Sequence, residues 1–464
     1  MDEKNRNDGW SPQRRNLLGA CLAHLLHDGY TDQLYALLPI WQPEFGLSYA
    51  GLALVRALYS GTMGGLQVPS NRLAAKLTPR ISLALATFIA ATGYLVVALP
   101  LGFGGLCIGL VLAGIGSSVQ HPRASMLVTN AYGKALRGPL SIYNFAGDLG
   151  KATFPAAVAL MLPFAAWRPV VGLTAAIGLV VAFVLLFLLP QQPFVAAVEA
   201  EVEAAGQDDR GFNLLLAIGA FDTATRMGYL LFLPFLVEGK GGNGATLGLG
   251  LALLFGGGAL GKACCGWLGQ HLGVVRSVIV TEAATALFIV ATLILPLGPV
   301  LILLPLLGVV LNGTSSVLYG TVPELARRGE TSRAFALFYT GVIGAGGLAP
   351  IAYGAIADHS SRTIGVLAAA LTAAAIIPMV LALGPFLPEA RVERARPMTA
   401  ANQTSSQSVS CGRERVGIAS LAIVGAQMRG RVLPVLAIEA AMRTRLDRSP
   451  KDETRSPTCL WRGG

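Results

Sequence analysis

HLLHDGYTDQLYALLPIW, residues 24–41, decides the fold because Pro39 in its LLPIW has a counterpart later in the chain, Pro234 in FLPFL. FLPFL ends the stretch FDTATRMGYLLFLPFL, residues 221–236. One offset of 195 residues relates four pairs of positions: Pro39 and Pro234, Leu73 and Leu268, Pro155 and Pro350, and Pro190 and Pro385. Each half of the repeat holds six long apolar runs. Two parallel six-helix repeats are typical of a secondary transporter, whose substrate site lies between the halves.

Composition places these apolar runs in a membrane. Of 464 residues, 53% are hydrophobic and 13% are charged, against roughly 25% charged in a typical soluble domain. About 20 apolar residues in a helix cross the ~30 Å hydrocarbon core of a bilayer. The sequence therefore predicts an all-α polytopic membrane protein, with twelve transmembrane helices in two pseudo-symmetric six-helix bundles.

The apolar runs define the predicted spans and domains. The spans are 16–40, 48–70, 80–100, 103–125, 138–163, 169–190, 212–237, 246–267, 276–296, 299–321, 333–357 and 363–387. The domains are a cytoplasmic segment at 1–15, bundles at 16–190 and 212–390, a cytoplasmic acidic linker at 191–211 and a cytoplasmic tail at 391–464. We expect the tail to be disordered; an amphipathic segment on the inner leaflet and a frame-shifted gene end are the alternatives.

Lys and Arg in the short loops set the predicted orientation. Most lie on the side of the N-terminus: Arg14, Arg15, Arg72, Lys76, Arg80, Lys134, Arg137, Arg276, Arg327, Arg328 and Arg333. The opposite loops hold Arg168, Lys240 and Arg362. Both termini are therefore expected in the cytoplasm, with the chain in a bacterial inner membrane.

The formal net charge of +10 does not indicate a nucleic-acid partner. Residues 391–464 carry 13 Lys and Arg against six Asp and Glu, and no basic stripe with interleaved aromatic residues exists. The six cysteines have neither metal nor redox spacing, so no metal and no cofactor are expected. The expected partners are a small-molecule substrate, protons and the lipid bilayer, and the chain is expected to be a monomer.

Charged residues within the predicted spans are the candidate functional residues. A charge at bilayer depth costs at least a few kcal/mol, so each one suggests a role. Nine lie away from the ends of the spans: Asp28, Asp32, Arg56, Asp148, Lys151, Asp222, Arg226, Lys262 and Glu282. Helical spacing groups them on three faces: His24, Asp28, Asp32 and Tyr35; Asn144, Asp148 and Lys151; Asp222 and Arg226.

Proton coupling is assigned to the first of these faces. Asp28 and Asp32 are like charges one turn apart, and histidine is the only base on their helix. In a medium of low dielectric such a pair favours protonation of one carboxylate, which proton coupling requires. We assign proton coupling to Asp28 and Asp32, with His24 modulating. For His24 and His27, the alternative is a core histidine satisfied by hydroxyl groups.

The basic residues are candidates for binding an anion. Arg56 lies mid-helix, too deep to snorkel easily, so it pairs with a helix-1 carboxylate or meets an anionic ligand. Substrate contact is assigned to Arg56, Arg226, Tyr30, Tyr35 and Asn144. State-dependent ion pairs are assigned to Asp148, Lys151 and Asp222; the alternative is two local salt bridges, Asp148–Lys151 and Asp222–Arg226. Snorkelling is expected for Lys262 and Glu282, which lie nearer to span ends.

Several local strings carry a family resemblance. They are the stretches at 24–41 and 221–236, LYSGTMGG at 58–65, GSSVQHPRAS at 116–125 and YNFAGDLGK at 143–151. They resemble the major facilitator superfamily and, within it, the fosmidomycin-resistance group of drug exporters. The resemblance covers roughly residues 15–388. It implies outward drug extrusion and, for this group, an anionic phosphonate as substrate.

The superfamily's loop signature, G-x-L-a-D-r-x-G-r, is present twice in altered form. The copy after helix 8 keeps Gly266 and Gly273. The copy after helix 2 contains Asn71, Arg72, Lys76 and Arg80, lacks both glycines, and has Ala75 where the family places an acid. The resemblance implies a cytoplasmic latch at that acid, so we expect the latch to be altered in this chain.

The sequence thus predicts a proton-coupled exporter of small molecules that works by alternating access. A symporter that imports a small organic anion is the alternative within transport. A transport-inactive membrane sensor is an alternative from another class. An enzyme is not expected, because the chain has five histidines, no HExxH, no paired cysteines with ligand spacing and no Walker loop.

Overall fold

The structure is a computed structural model that describes residues 11–191, 209–327 and 331–387. These ranges lie in one compact unit, Met1–Ala401. Their α-helices are α1 (Pro12–Phe45), α2 (Tyr49–Gly65), α3 (Gln67–Ala74), α4 (Pro79–Ala98), α5 (Gly102–Tyr132), α6 (Arg137–Met161), α7 (Trp167–Leu188), α8 (Asp209–Gly239), α9 (Gly244–Ile294), α10 (Leu297–Leu325), α11 (Thr331–His359) and α12 (Arg362–Leu383). Most of the predicted N-terminal segment and linker, and the whole predicted tail, lie outside the described residues.

Every predicted span is helical, but the helices divide differently at two places. The second predicted span is interrupted, since α2 ends at Gly65 and the short α3 follows. The eighth and ninth spans are joined in α9, whose backbone is non-helical at Gly273, with φ 75° and ψ 168°. Glycine adopts this positive φ without steric cost. The glycine retained in the second loop signature therefore marks the turn between two spans.

Side-chain caps begin several of the helices. Ser48, Thr78 and Ser361 each accept a hydrogen bond from the backbone N–H three residues further on, and Asn243 does the same before α9. Pro79 occupies the first position of α4, where its missing N–H costs nothing. These caps fix the points at which the helices leave the loops.

Hydropathy separates two kinds of helix. Nine spans among the described residues are long and apolar enough to cross a membrane by length and composition alone. The helices that do not meet this test are α1 and α6, which carry charged residues, the 17-residue α2, and the short α3. Large apolar side chains such as Phe183, Ile302 and Leu371 are exposed on the outside, as contact with lipid requires. The charged residues Asp28 and Asp32 of α1, by contrast, are buried inside the helix groups.

The helices form two groups. In the first, α1 packs against α5 and α6, and α4 packs against α5 and α7. In the second, α8 packs against α11 and α12, and α9 against α10 and α12. Between the groups, α2 packs on α11, α6 packs on α9, and α1 touches α8. This arrangement confirms the predicted fold of two pseudo-symmetric bundles.

The groups also meet at the far side, which we define as the side where α1 ends and α2 begins. Asp358 near the end of α11 accepts hydrogen bonds from the backbone N–H groups of Tyr49 and Ala50, at 2.8 and 2.9 Å. The Tyr49 ring lies edge-on to Phe232 and Phe235 of α8, with centroids 5.6 and 5.1 Å apart. The first turn of α2 is therefore held by residues of the second group.

Candidate functional site

Asp28 lies at the centre of a cluster of basic side chains. It is only 5% exposed. His24 Nε2 lies 3.2 Å and Lys151 Nζ 3.3 Å from its Oδ2 atom, and His121 Nε2 lies 3.6 Å from its Oδ1 atom. These groups come from α1, α6 and α5, respectively. The structure thus joins three predicted site residues with His121, to which the sequence assigned no role.

Two glycines allow α6 to approach this face of α1. A Cβ at Gly150 would overlap the backbone carbonyl of Leu25. A Cβ at Gly147 would lie 2.6 Å from the His24 ring and 2.7 Å from the Asp28 carboxylate. Small residues let membrane helices pack backbone to backbone. The sequence AGDLGK therefore places Lys151 beside Asp28.

The hydrogen bonds of His24 show where its protons are. Nδ1 lies 2.9 Å from the backbone oxygen of Tyr143; a carbonyl only accepts, so Nδ1 must donate. Nε2 faces Asp28 Oδ2 at 3.2 Å. Without a hydrogen between these atoms, two lone pairs would face each other. The contact therefore requires either an imidazolium with a carboxylate or a neutral imidazole with a carboxylic acid, and both forms hold one bound proton.

His27, one turn along α1, has neutral partners instead. It is fully buried, with Nδ1 2.8 Å from Ser117 Oγ and Nε2 3.2 Å from Thr87 Oγ1. The Thr87 hydroxyl donates to the backbone oxygen of Leu83, so it accepts from Nε2. A neutral ring satisfies both contacts. The alternative of a core histidine therefore describes His27, while His24 belongs to the charged cluster.

In the described part of the chain, three side chains of kinds that bind metal ions lie together. They are His24, Asp28 and His121, whose possible ligand atoms lie within 4.8 Å of one another. Two imidazoles and a carboxylate suit a transition metal ion. However, Lys151 already places a positive charge 3.3 Å from the same carboxylate. A metal ion would have to displace this ammonium group, so the arrangement favours a proton over a metal.

A second cluster joins the two helix groups through Arg56, Tyr35 and Met227. Arg56 is 4% exposed, and its guanidinium lies over the Tyr35 ring, 4.5 Å from the centroid. Arg56 and Tyr35 both donate to Met227 Sδ at 3.4 Å. A thioether is a weak acceptor, and Arg56 Nε is buried without a hydrogen-bond partner. The ion pairs of the described residues include none to Arg56.

Arg226 precedes Met227 on α8 and is similarly under-satisfied. Its two long hydrogen bonds reach Asn312 Oδ1 at 3.4 Å and Thr223 Oγ1 at 3.5 Å. Its Nε atom is buried without a hydrogen-bond partner. Within the described ranges it forms no ion pair. Each helix group therefore contributes one arginine whose charge is not paired with a carboxylate.

Asp32 connects the two clusters. It lies one turn after Asp28 on α1 and is buried. The positive charges that act on it are those of Lys151, Arg56 and Arg226. Asp32 thus faces cations from both helix groups, as a residue that links proton binding to an anion site would.

The structure corrects the alternative of local salt bridges. Lys262 on α9 pairs with Asp148, and Lys151 pairs with Asp28, so neither residue of α6 pairs with the other. Asp148 and Lys151 stand three residues apart on α6. This spacing directs Asp148 towards α9 and Lys151 towards α1. Snorkelling is therefore wrong for Lys262, because its partner lies on the facing helix.

The other predicted local salt bridge, Asp222–Arg226 in the second group, is also not among the ion pairs of the described residues. Asp222 interacts with Glu282 of α9, and Glu282 also interacts with Thr314. Arg226 hydrogen-bonds elsewhere and acts on Asp222 only through its charge. Glu282 is 1% exposed, so its predicted snorkelling is wrong. Its partners lie inside the bundle.

Two predicted substrate residues lie apart from these clusters. The Tyr30 hydroxyl donates to the backbone oxygen of Thr174 at 2.8 Å, and its ring packs on Tyr94 with centroids 4.2 Å apart. These contacts use Tyr30 for packing within the first group and argue against substrate contact. Asn144 is exposed on α6, one turn before Asp148. Its substrate contact stays a prediction.

The first loop signature lies away from both clusters, with Asn71 and Arg80 partly buried and Arg72 and Lys76 exposed. The loop after α3 is held instead by Arg123 of α5, which is 2% exposed. Arg123 donates to the backbone oxygens of Ala74 and Leu77, at 2.5 and 2.9 Å. An arginine from the neighbouring helix thus anchors the loop in which Ala75 replaces the family's acid.

Sequence reasoning missed His121, Arg123, Lys262 and Met227 as site or anchoring residues. His121 and Arg123 both stand in the string at 116–125, so the resemblance marked their helix without marking their side chains. Lys262 is a lone charge among small and apolar residues, a pattern that snorkelling also produces. Met227 carries no charge and gave no signal.

Ionisable side chains are thus buried where two six-span groups meet, which is the architecture of a secondary transporter. The family model of the Major Facilitator Superfamily matches residues 20–221. The Fosmidomycin resistance protein of Escherichia coli (strain K12) is 26% identical over 400 residues, which cover 81% of this chain and 93% of that protein. The chain is therefore similar to major facilitator superfamily transporters over residues 20–221 and to this resistance protein over most of its length, which agrees with the resemblance that the sequence predicts.

Solved structures share the fold at low identity. An inward-facing, occupied bacterial homolog of the human lysosomal transporter Spinster aligns with a TM-score of 0.64 and 17% identity, covering 82% of this chain and 97% of that one. A POT family transporter in complex with a thioalcohol-conjugated peptide aligns with a TM-score of 0.65 and 13% identity, covering 80% and 96%. These likenesses concern the fold alone.

Proposed function

We propose that the chain is a proton-coupled exporter of small molecules with an anionic group, and that it works by alternating access. One observation carries the proposal. The buried charges divide into a carboxylate that shares a proton with histidine, at Asp28, and two arginines without a carboxylate partner, Arg56 and Arg226. The first arrangement is suited to a proton and the second to an anion.

Proton coupling rests on the contact between His24 and Asp28. The pair holds a bound proton in either of its two forms, as the Nδ1 bond to Tyr143 requires. The His121 side chain is 31% exposed, so it provides a route for exchange between the pair and water. Asp32 supplies a second carboxylate, on which cations of both groups act. The proposed coupling residues are therefore Asp28, Asp32 and His24, assisted by His121.

Anion binding rests on the two unpaired guanidinium groups. A buried charge without a partner is costly, and a ligand of opposite charge removes that cost. Arg56 and Arg226 come from different helix groups, and Arg56 contacts Met227, the residue that follows Arg226 on α8. A phosphonate presents several oxygens that can accept from both guanidinium groups. Binding of such a group would also draw the two helix groups together.

Export is proposed because the relative from Escherichia coli bears the name of a resistance protein. A second candidate, proton–anion symport into the cell, is favoured by the charge balance of the site. A proton on Asp28 or Asp32 makes the surroundings of the arginines more positive, which favours binding of proton and anion together. Membrane vesicles separate the two candidates. Fosmidomycin accumulating in energised inside-out vesicles supports export, and accumulation in right-side-out vesicles supports import.

The test of the mechanism is Asp28→Asn, assayed as fosmidomycin resistance in cells that lack their own exporter. We expect resistance to be lost while the protein remains in the membrane in normal amount. The matched control is Glu44→Gln, which also removes a carboxylate from an ion pair, that with Arg168 at 2.6 Å, far from the site. Wild-type resistance in Asp28→Asn would remove Asp28 from the mechanism. Absence of any transport by the wild type would favour the sensor alternative.

A further inference from the structure

One ion pair of the described residues joins the two helix groups. Lys262 of α9 belongs to the second group, and its partner Asp148 of α6 belongs to the first. The other ion pairs within the described ranges lie inside the first group. The Lys262 side chain is 37% exposed, whereas that of Asp148 is 9% exposed. The bond thus lies at the interface of α6 and α9, where water can reach the lysine.

The neighbouring cation on α6, Lys151, interacts with more than one carboxylate. Lys151 Nζ lies 3.3 Å from Asp28 Oδ2, and Lys151 follows Asp148 by three residues on the same helix. Side chains three apart on a helix are neighbours and form ion pairs. The Asp28, Asp32 and Asp148 carboxylates all act on Lys151. Its side chain is 32% exposed and is therefore free to swing between them.

We propose that Lys151 exchanges Asp28 for Asp148 when Asp28 binds a proton, and that this weakens the Lys262–Asp148 bond between the helix groups. With Asp28 ionised, each lysine has its own carboxylate. With Asp28 neutral, two lysines compete for Asp148 and repel each other. Proton binding in the first group thereby loosens its contact with the second. This relay rests on the proposed function only in taking Asp28 as the proton acceptor.

The charged and titratable groups around Asp28 are compatible with this relay. The groups that act on Asp28, or on which it acts, are His24, His27 and Asp32 on α1, Tyr59 on α2, His121 on α5, Tyr143 and Lys151 on α6 and Lys262 on α9. Among them, Lys151 contacts Asp28 and also lies one helical turn from Asp148 on α6. His24 and His121 stay with Asp28 in either state, since both project towards its carboxylate.

The experiment measures the distance between α6 and α9 in the full chain, in lipid nanodiscs without substrate. Spin labels replace Leu149 and Leu260, which are exposed on these helices, in a background whose native cysteines are replaced. Asp28→Asn represents the protonated state. We expect it to raise the ratio of separated to closed molecules about fivefold, as for loss of one partly exposed ion pair. A pH titration of the unsubstituted site gives the same readout without the variant, so a folding defect of Asp28→Asn leaves the test intact.

The relay requires that this response depend on both lysines. Lys262→Gln should separate the helices by itself, and neither Asp28→Asn nor acid should then add to it. Lys151→Gln should abolish the response to both. Lys262→Arg, which keeps the charge, should preserve it. Two results would overturn the relay. One is an equal change in the α6–α9 distance with and without the Gln substitutions. The other is no change in the spin-labelled chain that keeps both lysines. Loss of resistance in Asp28→Asn without a change in distance would leave the proposed function standing and the relay excluded.

Discussion

At the scale of single residues, the partners of a side chain decide its chemistry more than its own type does. His24 and His27 stand three residues apart on α1, yet one contacts a carboxylate and the other contacts two hydroxyls. The sequence placed both histidines inside the membrane but could not separate them. The groups that distinguish them, Tyr143, Ser117 and Thr87, lie 60 to 119 residues further along the chain.

Arg56 gives the prediction at this scale. Arg56→Gln should raise KM for an anionic phosphonate by roughly ten- to a hundredfold, because a hydrogen bond to a charged group contributes about 1.5–3 kcal/mol. Arg56→Lys keeps the charge but loses the planar contact with Tyr35, so an intermediate KM is expected. The measurement is concentration-dependent transport by the purified protein in liposomes. An uncharged ester of the same compound is the control; an equal rise in its KM would show that Arg56 acts through packing.

At the scale of helices, the apolar runs predicted where the spans lie but not which helices pack against each other. α4 and α7 lie close to their predicted ranges of 80–100 and 169–190, because an uninterrupted apolar run has one helical solution in lipid. α2 ends earlier than predicted, because the helix is interrupted after Gly65 and α3 begins at Gln67, within the predicted span. The pairings of Lys262 and Glu282 were missed for a different reason. Period and hydropathy describe one helix at a time, and these contacts depend on which helices face each other.

The contact of α11 with the start of α2 gives the prediction at this scale. Asp358→Ala removes the carboxylate that accepts from two backbone N–H groups, a cap worth about 1 kcal/mol, so the far side should open about fivefold more often. A cysteine replacing Phe235, which is buried near the Tyr49 ring, reports this opening through its rate of labelling by a maleimide. Asp358→Glu keeps a carboxylate and is the control. An unchanged labelling rate in Asp358→Ala would show that the cap does not hold the groups together.

At the scale of the whole molecule, the repeat explains the two interfaces between the helix groups. The offset of 195 residues relates the second predicted span to the eighth and the fifth to the eleventh. The contacts of α2 with α11 and of α6 with α9 are therefore the same contact, made twice with the halves exchanged. If one half rocks against the other, the halves need two equivalent interfaces, or seams, around the buried charges, and these two contacts provide them.

A reversible cross-link across one of these seams tests the rocking directly. A Cβ at Gly64 of α2 would lie 3.8 Å from the Cβ of Ile343 on α11, the usual separation in a disulfide. In a chain whose native cysteines are replaced, Gly64→Cys combined with Ile343→Cys should cross-link under mild oxidation. Transport should then stop and return on addition of a reductant, because the seam must open in each cycle. Each single substitution, treated with the same oxidant, should transport at its untreated rate. Transport at the wild-type rate by fully cross-linked protein would mean that α2 and α11 stay together throughout the cycle, and that the halves do not rock about this seam.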